Sequence, residues 1–558
     1  MSLPFLSATP IETALRGFAA AQPNLVAVNE DPLFATSVRR CTRRQVGLVS
    51  GGGSGHEPLH AGFLGVGMLD AAVPGAVFAS PHNTQIHAAS RAVAGPGGVL
   101  HIVKNYTGDV INFAIAAERL AAEGVEVATV LVDDDVATDA DDTATGRRGT
   151  GATVVVEKIL GAAADAGLSL DELAALGADV VEHSRSVAVA ARAQTDFHTG
   201  DDAFELDPGH LEYGVGIHGE RAAASIERPG FESLVAKMVD EVLEQVPGDG
   251  GLLLFVNGLG ATTQLELLNV YAAASDRLSR AGEAVDARLV GNYVAALDMT
   301  GFSITLTRLR PEWLPYWEGP SITPSFPAGL ADSGAAPEAL VRQPVPDAEP
   351  SQTLPAATAD PADQARHKLQ DDVVRRFAEL VEENYEELTR LDRVAGDGDF
   401  GDNLRGGLRE ALQLMNHGYS GLAAAERAFL DGVGGTSGPL LGLLFKWLDH
   451  AHRHQGAGDD AAAAWARGTA EGCAAIQRVG GAEPGDRTIV DVLAPAAKAL
   501  QSGFAEGARA ADEAARATAE LEAKRGRATY VAGRGAGEPD AGAAGVALLF
   551  QAAAEVQA

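Results

Sequence analysis

The run Leu391-Asp-Arg-Val-Ala-Gly-Asp-Gly-Asp-Phe-Gly-Asp-Asn403 sets Asp392, Asp397, Asp399 and Asp402 among three glycines. So many like charges in so little chain repel one another unless a cation neutralises them. Mg²⁺ fits that need. It takes hard oxygen ligands in near-octahedral geometry and keeps positions open for water and phosphate oxygens, which makes the cluster a nucleotide-phosphate site rather than a closed structural cage. The interleaved glycines let backbone N–H groups approach such oxygens closely. In a chain this acidic, a solvated acidic turn is the competing reading.

Three further constellations lie upstream. Val49-Ser-Gly-Gly-Gly-Ser-Gly-His-Glu-Pro58 follows an apolar run, so its glycines can bring backbone amides around a small ligand while Ser54 and His56 supply directional groups. Lys104-Asn-Tyr-Thr-Gly-Asp109 sits just past another such run and offers a cation and a carboxylate where open α/β sheets carry their ligand crevice; an ordinary turn is the alternative. Gly214-Val-Gly-Ile-His218-Gly-Glu220 places one imidazole between glycines, exposed to a ligand or simply structural. In the C-terminal third, Gly432-Val-Gly-Gly-Thr-Ser-Gly-Pro439 opens an apolar helix at Leu440–Leu448, and a helix N-terminus with small hydroxyl residues suits an anion. Gly485-Asp-Arg-Thr488 and Arg525-Gly-Arg527 add polar and cationic groups.

Other pattern matches fail on context. His56-Glu-Pro-Leu-His60 has the spacing of a zinc metallopeptidase, but Pro58 pushes Glu57 out of the helical region, so the two histidines are not one helical turn apart. G-x-G-x-x-G occurs at Gly214–Gly219 and Gly396–Gly401, and neither copy follows a first strand with an acid about 20 residues on. Gly-Lys never occurs, which excludes the Walker A loop. The histidines of His450-Ala-His-Arg-His454 are two apart and do not share a helix face, so the run reads as solvent-exposed.

These residues need elements to hold them. Between about Gln45 and Phe326, β-branched runs (Val46–Ser50, Val99–Val103, Val125–Val132, Leu252–Val256, Ala287–Val290) alternate with Ala-rich segments, which predicts α/β layers with buried sheets. From Ala328 to Ala365 the chain turns to Pro, Ala, Asp and Ser without periodicity, as a linker does. Beyond Arg366, helical spacing over Leu369–Leu391, Leu422–Leu430, Ala461–Arg478 and Ala508–Lys524 predicts an all-α module.

The whole chain of 558 residues carries 43 Lys+Arg against 76 Asp+Glu, a net charge of −33. That field repels nucleic acid and anionic membranes and suits an enzyme of small molecules. Cys41 and Cys473 lie far apart, no apolar run approaches the ~18 residues of a membrane span, and the N-terminus lacks a signal-peptide pattern. A reducing cytoplasm is the expected setting.

The glycine loop ending in His56, the Lys104–Asp109 turn, the Gly-Ile-His218-Gly segment, the linker and the Gly-Asp-Gly-Asp cluster occur here in the order of the single-chain, ATP-dependent dihydroxyacetone kinases, and the chain resembles that family over nearly its whole length. The resemblance implies a ketose-binding α/β domain in two halves (1–330), a linker (331–365) and an ATP-binding domain built as an antiparallel helical barrel (366–558). It implies that a short-chain ketose, dihydroxyacetone or a four-carbon ketose such as erythrulose, forms a hemiaminal on His218, with Gly53, Ser54, Gly55, His56, Lys104 and Asp109 around it. Asp109 is then the base and His56 the activating hydrogen-bond partner. It further implies Mg²⁺ on Asp392, Asp397 and Asp399, and ATP among Phe400, Gly401, Asp402, Asn403, Thr436, Ser437, Gly480, Ile489, Arg527, Asp540 and Gly542. A homodimer is expected, and both modules in one chain favour free ATP as donor. A ketone sensor without transfer is the reading of another class; Asp109 and the metal carboxylates argue against it, since a sensor needs neither. Two positions depart from the family pattern: Phe400 and Glu538 stand where many relatives carry histidine.

Overall fold

The computed structural model describes residues 3–138, 146–197, 199–220, 224–327, 340–342, 361–395, 398–454, 460–525 and 537–557, which form two compact units on either side of 343–360. The first contains strands β1 (Val26–Glu30), β2 (Leu33–Ser37), β3 (Arg39–Cys41), β4 (Gly47–Ser54), β5 (Ala71–Val77), β6 (Val99–Lys104) and β7 (Val127–Val132). It continues through β8 (Ser184–Arg192), β9 (His210–Tyr213), β10 (Ala224–Glu227), β11 (Leu252–Gly258), β12 (Val285–Gly291), β13 (Thr300–Arg308) and β14 (Leu340–Arg342), the last pairing with β3.

One six-stranded sheet runs β1-β2-β5-β4-β6-β7 and is parallel from β5 to β7. Every residue of β4 and β6 is buried, as expected of parallel strands covered on both faces. Helices Asn83–Val93 and Thr107–Ala122 make the crossovers on either side of β6. Register pairs Gly47 with Val99 through Ser50 with Ile102, so the two strands end side by side and deliver the glycine segment and Lys104 to the same edge. That edge is the carboxyl end of parallel strands, where such sheets bind ligands.

The second sheet, β10-β9-β8-β13-β11-β12, differs from a simple alternation of strands and helices. It is antiparallel except for β11 with β12, which helix Gln264–Arg280 connects. Hydroxyls of β8 and β13 pair across the strands, Ser184 with Thr307 at 2.8 Å and Ser186 with Thr305 at 2.7 Å, so these strands lack the apolar signature of β11. Helix Ala152–Ala166 is apolar almost all round and belongs to a core that includes Leu48 and Ile102 of the first sheet and Leu253 and Phe255 of the second.

The second unit is all helix among its described residues. Helices Ser437–Arg453, Ala461–Gly480, Ile489–Ala499, Phe504–Ala517 and Ala541–Gln557 each pack on the next, and the last returns against Pro361–Glu383, which closes the ring. Helices Tyr385–Ala395, Phe400–Asn416 and Gly421–Arg427 complete it. Its interior holds Phe377, Phe429, Phe445, Trp465 and Phe550. His452 joins that interior at 1% exposure, against Trp465, so the histidine run is only partly exposed; the helix face and not the spacing decides it.

Candidate functional site

The end of β4 needs its glycines. A Cβ at Gly52 would lie 2.2 Å from Nζ of Lys104, and one at Gly53 would meet the Phe78 backbone at 2.7 Å. Gly55 adopts φ +102°, which a side chain disfavours. The hydroxyl of Ser54 donates to the Gly75 carbonyl at 2.8 Å, so its hydrogen already has an acceptor. Just beyond, no helix forms around Glu57–His60, and the zinc reading lapses with it.

His56 is buried, and its Nδ1 lies 2.7 Å from the Ala295 carbonyl. A carbonyl only accepts, so Nδ1 carries the hydrogen and Nε2 the lone pair. Burial first, then His218 and Lys104, hold this ring well below 6.5 and therefore neutral. Its Nε2 is buried without a hydrogen-bond partner among the described residues. The Ala295 loop is itself fixed by Asn257 at the end of β11, which bonds Val294 through both its amide atoms at 2.9 Å.

The ring of His218 stands edge-on to three others, with centroids 4.4 Å from Tyr106, 4.8 Å from His56 and 5.6 Å from Phe78. Its Nδ1 lies 2.9 Å from Oε1 of Glu220, and Oε2 accepts from the His218 backbone at 3.0 Å. Burial opposes ionisation of Glu220, but His218 and Arg148 outweigh it and hold this carboxyl well below the usual range. With a carboxylate on Nδ1, the lone pair of the neutral ring falls on Nε2. Gly216 makes this possible, because a Cβ there would lie 2.0 Å from Glu220 Oε2 and 2.5 Å from Arg148. Arg148 is anchored on Asp135 at 2.9 Å through Nε.

Lys104 and Asp109 are both buried, with Nζ 3.4 Å from Oδ2. Nζ also lies 3.2 Å from the Gly51 carbonyl and 3.2 Å from Nε2 of His60. The other oxygen of Asp109, Oδ1, is buried without a hydrogen-bond partner among the described residues. A nucleophilic ring nitrogen, a neighbouring acceptor nitrogen and a carboxylate oxygen in want of a proton can capture a carbonyl and deprotonate a hydroxyl. Sequence reasoning singled out His56, Lys104, Asp109 and His218, and the structure brings them into one cluster. It assigned no role to Glu220, Tyr106, Phe78, His60 or Glu157; Glu220, Tyr106 and His60 stood inside quoted motifs, while nothing local marked Phe78 or Glu157. A separate cavity of about 440 Å³, lined mainly by apolar residues such as Leu15, Phe18 and Leu59, touches Gly52–Ser54 but none of those four side chains.

In the helical unit, Asp392 lies in helix Tyr385–Ala395 and accepts from the Phe400 N–H at 3.0 Å; Asp399 immediately precedes helix Phe400–Asn416. Asp397 and Arg527 lie outside the described residues. Asp402 is exposed and bonds Tyr385 at 2.9 Å and Arg405 at 3.0 Å; Asn403 donates its N–H to the Asp399 carbonyl. Gly401 is packed under Thr389. The ring of Phe400 is turned into the core, 8% exposed and close beneath Gly545, so its side chain is core rather than site lining. Thr436 and Ser437 begin helix Ser437–Arg453, Gly480 ends Ala461–Gly480, and Ile489 is buried next to Gly542. Burial first, then the carboxylates of Asp392 and Asp491, push Asp540 up to about 6. Surplus negative charge on hard oxygen donors beside two helix N-termini fits Mg²⁺ and phosphate.

Two family models match, the Dak1 domain over residues 16–325 and the DAK2 domain over 394–555. The chain is 35% identical to L-erythrulose 1-kinase of Mycolicibacterium smegmatis, with 98% of this chain and 97% of that protein covered. It is 35% identical to triokinase/FMN cyclase of Rattus norvegicus, with 97% and 96% covered. The crystal structure of the dihydroxyacetone kinase from C. freundii in complex with AMP-PNP and Mg²⁺ superposes with a TM-score of 0.55 at 29% identity, each chain covered completely. Both domains matching in this order and over these lengths, the chain belongs to the single-chain dihydroxyacetone kinase family.

Proposed function

We propose that this chain transfers the terminal phosphoryl group of ATP to a hydroxyl of a short-chain ketose, with dihydroxyacetone as first substrate. The observation that carries the reading is the His218–Glu220 pair, because the carboxylate on Nδ1 makes Nε2 a nucleophile on a ring whose centroid is 4.8 Å from that of His56, whose own Nε2 is buried and has no hydrogen-bond partner among the described residues. Nε2 of His218 adds to the ketone carbon as the carbonyl π bond breaks and its electron pair moves to oxygen; Nδ1 gives its proton to Glu220, solvent water protonates the new oxygen, and Glu220 returns its proton to solvent, so the hemiaminal forms with no net gain or loss of protons. Nε2 of His56 accepts a hydrogen bond from the resulting hydroxyl. Oδ1 of Asp109 takes the proton of the terminal hydroxyl, and Lys104 steadies the Asp109 carboxylate through Oδ2. A polyol has no carbonyl for the first step, so bonding rather than shape selects the ketone.

On the helical unit, Asp392, Asp397 and Asp399 would hold Mg²⁺, which when bound neutralises charge on the phosphates. Gly401, Asp402, Asn403, Thr436, Ser437, Gly480, Ile489, Arg527, Asp540, Gly542 and the Phe400 backbone would surround the nucleotide. Domain limits at 1–330, 331–365 and 366–558, a homodimer and a cytoplasmic setting belong to the same reading. The two free, buried cysteines suit a reducing compartment, and no described helix is long and apolar enough to cross a membrane. A four-carbon ketose is the second reading, favoured by the similarity to L-erythrulose 1-kinase.

The test is Mg²⁺-dependent ADP release with dihydroxyacetone, D- and L-erythrulose and glycerol in parallel. Turnover with dihydroxyacetone but not glycerol supports the proposal, and a higher kcat/KM with an erythrulose assigns the second reading. Ketone binding without turnover on any ketose would replace it with a sensor.

A further inference from the structure

The His56-Glu-Pro-Leu-His60 run leaves one histidine without a part in this reaction, and the interior leaves one acid, Glu157, without one. The two are bonded: Nδ1 of His60 lies 2.6 Å from Oε1 of Glu157. On its other side, Nε2 of His60 lies 3.2 Å from Nζ of Lys104. Lys104 reaches onward to the Gly51 carbonyl at 3.2 Å and to Oδ2 of Asp109 at 3.4 Å. Glu157, His60, Lys104 and Asp109 are 0%, 6%, 0% and 2% exposed, so all four are withdrawn from bulk solvent.

The protons in this chain are fixed by what each group can do. An ammonium only donates, so Nε2 of His60 presents its lone pair and Nδ1 carries the hydrogen, which goes to Glu157. Burial first, then Lys104 and His56, keep His60 well below 6.5, in agreement with a neutral ring. Lys104 has three N–H donors, and three acceptors surround it: Gly51, His60 and Asp109. Remove the imidazole and one N–H of a buried ammonium loses its acceptor, and Lys104 is left to re-share its donors between the Gly51 carbonyl and the Asp109 carboxylate.

We infer that His60 and Glu157 are positioning residues for phosphoryl transfer: Glu157 sets the His60 tautomer, and His60 holds Lys104 so that it engages one oxygen of Asp109 and leaves Oδ1 to receive the substrate proton. The inference rests on Asp109 as the base. It gives a reason for the second histidine of the motif, which acts on a lysine and not on a metal. The ionisable groups facing His60 are Lys104, Glu157 and His56, and those facing Glu157 are His60 and Lys104. Burial, against Ser50 and Lys104, pushes Glu157 up to about 8. Its ionisation above that pH changes what Nδ1 of His60 meets.

The experiment compares His60→Leu, His60→Gln and Glu157→Gln with the wild-type chain in the ketose-dependent ADP assay, with thermal unfolding as the check on folding. His60→Leu should lower kcat about 10- to 100-fold with KM for ketose and Mg·ATP within about threefold, the scale of losses when an orienting partner is removed. His60→Gln, whose amide oxygen can accept from Lys104, should retain most of kcat. Glu157→Gln should remove an inflection near pH 8 from the kcat profile. Wild-type turnover with equal kcat in both His60 variants overturns the inference alone, whereas silence of the wild-type chain on every ketose overturns the kinase reading and this inference with it. If His60→Leu does not fold, the Glu157→Gln profile decides, and a profile identical to wild type overturns the inference.

Discussion

His56 and His218 both give their Nδ1 hydrogen to an oxygen, and what kind of oxygen separates their tasks. A peptide carbonyl faces His56 and cannot take a proton, whereas the carboxylate of Glu220 on His218 can. Glu220→Gln should therefore keep the ring in place yet weaken ketone capture, seen as a rise in KM for ketose. His218→Ala should abolish the preference for ketone over polyol in the same assay, and an unchanged preference would count against a covalent adduct. Asp109→Asn should lower kcat about 10²- to 10⁴-fold, the range for losing a general base, while calorimetry finds ketone affinity within a few-fold of wild type. At this scale the sequence was legible where a reactive side chain lies among glycines, as at His56 and His218. It was silent on Glu157, which stands 97 residues from the histidine it orients and inside an apolar helix. Local pattern marks the residue proposed to meet substrate; the fold chooses the residue behind it.

Strands β4 and β6 act as a pair, because parallel register brings the glycine segment and Lys104 to one edge. Gly52→Ala tests this: its Cβ would fall 2.2 Å from Nζ of Lys104, and overpacking of this kind costs about 1–3 kcal/mol. The expected outcome is a large loss of kcat, measured by ADP release, with a modest loss of melting temperature. In the helical unit, Thr488 caps helix Ile489–Ala499 while Asp491 accepts from the N–H groups of Thr488 at 2.8 Å and Gly485 at 2.5 Å. Thr488→Ala should cost about 1 kcal/mol, read as a lower midpoint in denaturant. Strands such as Val99–Lys104 and Leu252–Gly258 were visible as buried apolar runs, since both faces of each strand are covered. Strands β8 and β13 were not, because their Ser and Thr side chains satisfy one another across the sheet, so that only alternate residues such as Val187, Val189, Ile304 and Leu306 are large and apolar and no continuous run of them forms.

Over the whole molecule, a net charge of −33 meets an interior that buries acids. Burial, then Asp449 and Asp431, push Glu426 up to about 7, against Lys446 and Arg453. Between its ordinary value of 4.5 and about 7, the folded chain holds a proton there that the unfolded chain has released. Stability from this group is thus fully present below about 4.5 and lost as pH rises through about 7. The melting temperature of the helical unit should fall across that window, and Glu426→Gln should flatten the fall; an equal slope in the variant would refute the assignment. What the sequence by itself determined is the order of modules, the composition of each, and the candidate residues His56, Lys104, Asp109 and His218, because glycine spacing, apolar runs and clustered carboxylates act over a few residues. The pairing of Glu220 with His218, the chain from Glu157 through His60 to Lys104, the burial of Phe400 and His452 and the antiparallel second sheet were decided only by tertiary structure. Each depends on which distant surfaces come to exclude water together, and a hydrogen bond or a pKa shift exists only once that exclusion has been made.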